Sequence, residues 1–391
     1  MVRKVDLAAR RRRLRVGLVV DGFVGRSAAG GVQLANGGVG VYIEHLARAL
    51  VALDRVDLTL IRPGPLDLAL LRDPALPTVS HPILRRLPRA RWLDLGLASI
   101  ARRHRLDLIH YPNQLGGAFL ARHVPRVITL HDLTPLTLPG THPPWSVAGY
   151  RLLLRQTLRR AGAVIVDSQF VRDELLRIAP WIASRLTVVP LAAADRFCPR
   201  SRTPAFRERL GIPERFLLAV GVLEPRKNHV AAVHALARLH AAGESIGLVI
   251  AGRTGWRWQD PVAATRQLQV RPWVRILENV PDEELVELYG RAEALVYPSL
   301  SEGFGLPILE AMACGCPVVA SDRSALPEVG GDAALYAPPD DPDAIARQLL
   351  VLLRDPAVRR GCVERGRARA RAYSWRRTAE QTAEVYASVL R

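Results

Sequence analysis

Residues 295–321 read LVYPSLSEGFGLPILEAMACGCPVVAS. A short apolar run ends in a glycine-containing loop, an apolar helical segment follows, and a second apolar run closes the stretch: strand, loop, helix, strand. Pro307 suits the first helical turn and Gly315 suits the helix stop. Glu302 then lies in the loop, and Glu310 falls within the first turn or so of the helix. The amides of Gly303, Phe304, Gly305 and Leu306 sit where a helix start attracts anions. Such amides suit a diphosphate, and a nearby carboxylate suits paired sugar hydroxyls, as acids read ribose. Each glutamate alone also fits a plainer role: Glu310 complementing the helix dipole, Glu302 solvated.

The same alternation extends in both directions. Strand-like runs occupy 15–20, 58–62, 106–111, 126–130, 163–167 and 186–190, with helix-like segments such as 40–53 and 146–160 between them. A Pro- and Arg-rich stretch, RFCPRSRTPAFRERLGIPER (196–215), interrupts the pattern. It then restarts, with strands at 216–222, 247–251, 274–277, 294–297, 317–321 and 334–337 and helices at 229–242, 282–291, 307–314, 343–354 and 373–391. Strands alternating with helices predict an α/β fold of two parallel, doubly wound sheets. The expected organisation is a basic tail (1–13), a first domain (14–198), a linker (199–213), a second domain (214–372) and a terminal helix (373–391). In such sheets, ligands bind at the carboxyl ends of the strands.

Bulk properties agree with a globular chain of two domains: 391 residues, 49% of them hydrophobic. No apolar run approaches bilayer length, and the basic start is followed by a short apolar segment broken by Asp21, so no export signal is expected. The four cysteines include no Cys-x-x-Cys, so a reducing, cytoplasmic setting is expected, and Cys314 and Cys316 read as small buried residues. The formal net charge is +18, and Arg greatly outnumbers Lys. That charge bears on partners rather than fold: nucleic acid, anionic lipid or phosphorylated small molecules.

Two further turns carry chemistry. Gly37, Gly38 and Gly40 precede a helix, after a long glycine-rich loop, in a position that suits phosphate approach. It matches neither a dinucleotide-binding Gly-x-Gly-x-x-Gly nor a Walker motif, which argues against dehydrogenase and nucleotide triphosphatase chemistry. In the second half, FLLAVGVLEPRKN ends a strand and presents Glu224, Arg226, Lys227 and Asn228. Arg226 forks across two oxygens and Lys227 acts as a point charge, so anion binding is favoured over solvated loop charges.

Taken together, EGFGLPILE (302–310) followed by AMACGCPVVAS resembles the signature of the family 4 retaining glycosyltransferases. TLHDLTPL (129–136), VDSQFVRDEL (166–175), VVPLAAADRF (188–197), GVLEPRKN (221–228) and VPDEELVELYGRAEALVYPS (280–299) fit that family in order. HDLTPL and EPRKN bring the chain near its mannosyltransferase-like branch. The resemblance implies a GT-B fold, with a donor-binding second domain, an acceptor-binding first domain, and a terminal helix returning to the first. It also implies roles. Arg226 and Lys227 stabilise the diphosphate leaving group, and Glu310 binds the donor ribose. Glu302 contacts the transferring sugar, His131 lies by that sugar from the opposite domain, and Asp132 is a substrate-binding residue. Asn228 and Gly303–Leu306 line the donor site, and the Gly38–Gly40 turn closes on the phosphates.

The implied reaction moves a hexose, mannose first, from a GDP- or UDP-sugar to a glycan, lipid-linked or small-molecule acceptor. The one Asp-x-Asp, Asp341-Pro-Asp343, precedes a helix and reads as a cap, so no metal is expected. The residues leave open whether Glu302 attacks the sugar or supports an ion-pair-like transition state. Basic stretches lie at 10–13 with Arg15, 85–91, 151–160 and 359–377. YRLLLRQTLRRA (150–161) alone fits a solvated amphipathic helix packed on the sheet somewhat better than one lying on lipid, but the total charge favours peripheral contact with an anionic inner membrane face. The competing readings are a nucleic-acid-binding protein, disfavoured because no recognition motif accompanies the charge, and a sugar-nucleotide epimerase sharing the diphosphate site.

Overall fold

The structure, a computed structural model, describes residues 13–20, 24–26, 32–34, 38–61, 76–79, 97–113, 124–199, 206–257 and 259–391. Gly37, the basic stretches 10–12 and 85–91, and residues 200–205 of the expected linker lie outside them. The chain divides into two compact units. One comprises Met1–Thr129, Thr157–Val164 and Ala379–Arg391, the other Leu130–Gln156 and Ile165–Thr378.

A seven-stranded sheet runs in the order Thr78–Val79, Val56–Ile61, Leu14–Val19, Leu108–Tyr111, Arg126–Leu130, Ala163–Val166, Leu186–Val188. A six-stranded sheet runs Val274–Leu277, Gly247–Ala251, Phe216–Val220, Ala294–Tyr297, Val318–Ser321, Ala334–Ala337. Both orders start at the third strand of the set, return to the first, then jump to the fourth, which is the doubly wound pattern. In the second sheet every adjacent pair is parallel. Its central strands, FLLAV at Phe216–Val220 and ALVY at Ala294–Tyr297, are buried along their whole length. Both faces are covered, so these strands carry continuous apolar runs rather than alternation. Leu217, Ile250 and Val296 pack with Leu236 of the helix His229–Ala241 and Leu349 of the helix Pro342–Arg354.

Several helix ends follow directly from sequence. Gly305 and Gly315 bracket the helix Leu306–Cys314 in the left-handed region, at φ 99° and 77°. Asp341 caps the helix Pro342–Arg354 by accepting from the Ala344 amide at 2.9 Å. The first helix begins at Gly38, so Gly38 and Gly40 form its first turn rather than a loop ahead of it. Residues 359–371 of the basic stretch 359–377 belong to the helix Pro356–Arg371. Two of its arginines bind carbonyls elsewhere in the fold: Arg359 donates to the Glu293 carbonyl at 2.7 Å and Arg369 to the Val329 carbonyl at 3.0 Å.

In the first unit the fully buried His110 joins the Tyr386 hydroxyl at 2.7 Å and the Thr129 hydroxyl at 2.8 Å, and Tyr42 meets Thr129 at 2.8 Å. Tyr386 belongs to the terminal helix Trp375–Val389. In the second unit, Thr378 of the same helix donates to the Pro190 carbonyl at 2.7 Å. None of the four cysteines is in a disulfide, and Cys314 and Cys316 are buried. Among the described residues no helix is long and apolar enough to cross a membrane.

Candidate active site

The strand order of the second sheet reverses between Phe216–Val220 and Ala294–Tyr297, which lie side by side. Ligands of doubly wound sheets gather at the carboxyl ends of such a pair. Here those ends continue as residues 221–228 and 298–306. Pro225–Lys227 makes one tight helical turn, and Asn228 follows in the left-handed region at φ 53°. The Leu300 amide donates to the Arg226 carbonyl at 2.9 Å, which locks the two loops together.

Glu302 is the centre of this arrangement. Its Oε2 accepts from Arg226 Nη1 at 2.8 Å, and its Oε1 accepts from Lys227 Nζ at 2.6 Å and from the Tyr297 hydroxyl at 3.0 Å. Arg226 also reaches the Ser301 carbonyl at 2.9 Å and Glu224 at 2.8 Å. The group is buried, with Glu302 only 7% exposed. Burial alone would raise the Glu302 pKa, but the Arg226 and Lys227 charges overcome it and hold the carboxyl at about 2. Burial draws the Lys227 pKa down and Glu302 only partly offsets this, whereas for Arg226 the opposing Glu302 and Glu224 charges outweigh burial and raise it. Two cations thus stand against two carboxylates, and Arg226 Nε is buried with no hydrogen-bond partner among the described residues. A nitrogen of that kind calls for an acceptor brought by a ligand or water.

Beside this cluster, the amides of Gly303, Phe304, Gly305 and Leu306 open the helix Leu306–Cys314. Among the described residues none of the four has a backbone acceptor. Gly303 is tightly set: a Cβ there would lie 1.7 Å from the His131 carbonyl oxygen. The Ser168 hydroxyl donates to the Gly303 carbonyl at 2.6 Å. These contacts bring the sequence-distant pair His131 and Asp167 next to Glu302's loop. His131 Nδ1 and Asp167 Oδ2 are 2.6 Å apart. Burial raises the Asp167 pKa, and the His131 contact partly offsets it. The adjacent helix Gln169–Ile178 is held by Glu328, which accepts from the amides of Gln169 at 2.9 Å and Phe170 at 3.1 Å.

The other expected residues separate into kinds. Glu310 lies on the fifth residue of its helix, beyond the first turn, and accepts from the Tyr289 hydroxyl at 2.9 Å. Burial pushes its carboxyl up to about 7, against the Tyr289 hydrogen bond. Asp132 folds back on Thr134, accepting from its amide at 3.1 Å and its hydroxyl at 2.8 Å, which closes a turn. The Asn228 amide donates to the carbonyls of Pro298 at 3.1 Å and Pro339 at 2.7 Å, so this side chain clamps the loops. Phe304 is buried and stacks edge-on with Tyr373. Gly38 and Gly40 belong to the first unit, and a Cβ at Gly38 would meet nothing within 4 Å.

Sequence reasoning passed over Tyr297, Asp167, Ser168 and Glu328. Tyr297 ends a fully buried strand and Asp167 immediately follows another, Ala163–Val166. The carboxyl-end rule that picked out Arg226 applies to both. Among the described residues no cluster of three or more His, Cys, Asp or Glu could hold a metal ion.

Comparison with known proteins gives this geometry a context. Residues 36–193 match the family described as Glycosyltransferase Family 4, and residues 203–369 match Glycosyl transferases group 1. The chain is 37% identical to the O-antigen chain mannosyltransferase B of Escherichia coli, over 71% of this chain and 74% of that one. It is 30% identical to the MMP alpha-(1->4)-mannosyltransferase of Mycolicibacterium hassiacum, over 90% and 94% of the two chains. Among solved structures, sucrose-phosphate synthase of Thermosynechococcus elongatus superposes with a TM-score of 0.75 at 22% identity, covering 96% and 98%. Anabaena HepE, solved with UDP and glucose, gives a TM-score of 0.75 at 20% identity, covering 96% and 100%. These likenesses confirm the expected GT-B fold of two Rossmann-like sheets. The chain belongs to the family 4, group 1 glycosyltransferases.

Proposed function

We propose that this glycosyltransferase moves mannose, with retention at the anomeric carbon, from a nucleoside-diphosphate mannose to a glycan or lipid-linked acceptor. Its mannosyltransferase relatives support the sugar, and the UDP held by HepE supports a nucleoside-diphosphate donor. The observation that carries the reading is the meeting of Arg226, Lys227 and four open amides around Glu302 at the sheet's switch point.

Breaking the anomeric C–O bond leaves negative charge on the diphosphate. Arg226, Lys227 and the amides of 303–306 are already fixed in place, so they strengthen their contacts as that charge grows without reorganising. Glu302 holds the two cations apart and in register. Both Glu302 oxygens are engaged, Oε2 by Arg226 and Oε1 by Lys227 and Tyr297. Glu302 therefore supports the charge and orients the transferring sugar, and retention proceeds through an ion-pair-like transition state rather than a Glu302 adduct. His131, oriented through Nδ1 by Asp167, is the residue we assign to contact with that sugar. Arg226, Lys227 and the amides supply the charge that a metal supplies elsewhere, so no metal is required.

The test is thermal stabilisation by GDP, UDP and ADP without metal, followed by product analysis with GDP-mannose and UDP-sugars in excess EDTA. A ligand at a hundredfold excess over its dissociation constant stabilises by about 2.7 kcal/mol. One diphosphate stabilising the protein, with mannosyl transfer in EDTA, is the expected outcome. Loss of transfer in EDTA restored by Mg²⁺ or Mn²⁺ would overturn the metal-free step. Formation of an epimeric nucleotide sugar with donor alone would replace transfer by epimerisation.

A further inference from the structure

The helix Pro144–Arg160 has two faces that differ in kind. Val147, Tyr150, Leu154 and Leu158 are buried and seat it on the protein. The opposite side carries Trp145 and Leu152, exposed by 76% and 77%, the two most exposed large apolar side chains among the described residues. They stand two turns apart, about 10 Å along the axis. Ala148, Arg151, Arg155 and Arg159 are exposed beside them. At about 100° per residue, all six fall within roughly a third of the helix circumference.

The charge on this face is unbalanced. The helix, PWSVAGYRLLLRQTLRR, contains no Asp or Glu. Arg359, Arg365 and Arg369 donate to backbone carbonyls, but among the described residues Arg151, Arg155 and Arg159 have no ion pair or hydrogen bond. Arg159 lies in the last turn, where it complements the helix dipole. That account leaves Arg151, Arg155 and the exposed Trp145 unexplained.

We propose that this face is a docking surface for an anionic lipid bilayer. Trp145 and Leu152 enter the headgroup–acyl boundary, and the three arginines meet lipid phosphates. The formal net charge of +18 adds a long-range attraction of the same sign. An anionic polymer would use the arginines but has no need of an exposed Trp and Leu among them, so the apolar pair is what selects a bilayer.

The experiment is vesicle co-sedimentation of the full chain, without donor or acceptor, so its result is independent of the transfer reaction. Vesicles of phosphatidylcholine alone are compared with vesicles carrying phosphatidylglycerol, at low and high salt. Binding to the anionic vesicles that weakens in salt is expected. Replacing the three arginines by Gln should weaken it about a hundredfold, near fivefold for each. Trp145→Ser with Leu152→Ser should weaken it about tenfold. All five side chains are exposed, so melting temperatures should hold. Failure to bind anionic vesicles overturns the proposal, as does binding that both variants leave intact. RNA or heparin binding that depends on the arginines while vesicles are ignored also overturns it, and assigns the face to polyanions.

Discussion

Nζ of Lys227 lies 2.6 Å from Oε1 of Glu302 and 3.0 Å from the Tyr297 hydroxyl, a site shaped for a compact cation. The chain has only two lysines, Lys4 and Lys227, against a large population of arginines. A composition that supplies Arg nearly everywhere else has kept Lys here. The geometry explains why: a tetrahedral ammonium fits between two oxygens, and its stem runs within 3.3 Å of where a Gly221 Cβ would stand. A planar guanidinium is longer and forks. Lys227→Arg should therefore cut kcat/KM by about a hundredfold despite conserving charge. Lys227→Ala should in addition destabilise the ligand-free protein by about 3 kcal/mol, because it leaves the buried Glu302 short of a partner. Steady-state kinetics and denaturant melts read the two effects. An arginine variant with wild-type turnover would show that only charge matters at this position.

Gly303 tests the seating of the donor loop. Its neighbour is the His131 backbone, which has no flexible end to yield, and the Asp132 Cβ stands 3.2 Å away on the same side. Gly303→Ala should displace the loop from His131, costing about 3 kcal/mol of stability and about a hundredfold or more in kcat. Differential melting and single-turnover kinetics measure both. If the alanine variant keeps wild-type melting and turnover, the working enzyme does not hold Gly303 against His131.

The parts of this site that sequence revealed are those that lie close together along the chain. Glu302, Gly305, Pro307 and Gly315 sit within one strand–loop–helix unit, where capping and glycine geometry are local rules. Arg226 and Lys227 were found because a strand end is legible from its apolar run. What sequence did not reveal is pairing at long range. That Arg226 and Lys227 grip Glu302 spans about 75 residues, and that Ser168 meets the Gly303 carbonyl spans 135. Neither follows from periodicity. The contacts of Arg359 and Arg369 with the carbonyls of Glu293 and Val329 were hidden for the same reason, since those carbonyls lie far off in sequence.

Asp167 provides a third test, of orientation separated from packing. Asp167→Asn keeps the volume and leaves Ser168 free to hold Gly303, but it removes the carboxylate that faces His131 Nδ1. Turnover should fall about a hundredfold with the donor KM nearly unchanged, because an imidazole held in the wrong tautomer still occupies its place. Asp167→Glu should recover little, since the buried position has no room for another methylene. An asparagine variant that lowers only the melting temperature would make Asp167 a structural partner and nothing more.

Glu310 links nucleotide binding to pH. Its ordinary pKa is 4.5, and burial raises it to about 7 in the folded protein despite the hydrogen bond from the Tyr289 hydroxyl. Between those two values the folded state holds a proton that the unfolded state has released. The stabilisation is therefore full below pH 4.5 and is lost as pH rises through about 7. Glu310→Gln does not titrate, so the ligand-free variant should gain on the wild type across that window, by about 3 kcal/mol at the alkaline end. The ribose role makes the opposite demand. A carboxylate accepting from a diol must be ionised, so diphosphate binding should expel the Glu310 proton, and affinity should rise about tenfold from pH 6 to pH 8. The phosphate's own ionisation contributes to the same trend, and the variant separates the two. Calorimetry in buffers of different ionisation enthalpy should show proton release at pH 7 for the wild type and a smaller release for Glu310→Gln. Equal release from both proteins, with equal affinity, would remove Glu310 from the nucleotide site and leave its raised pKa a consequence of burial alone.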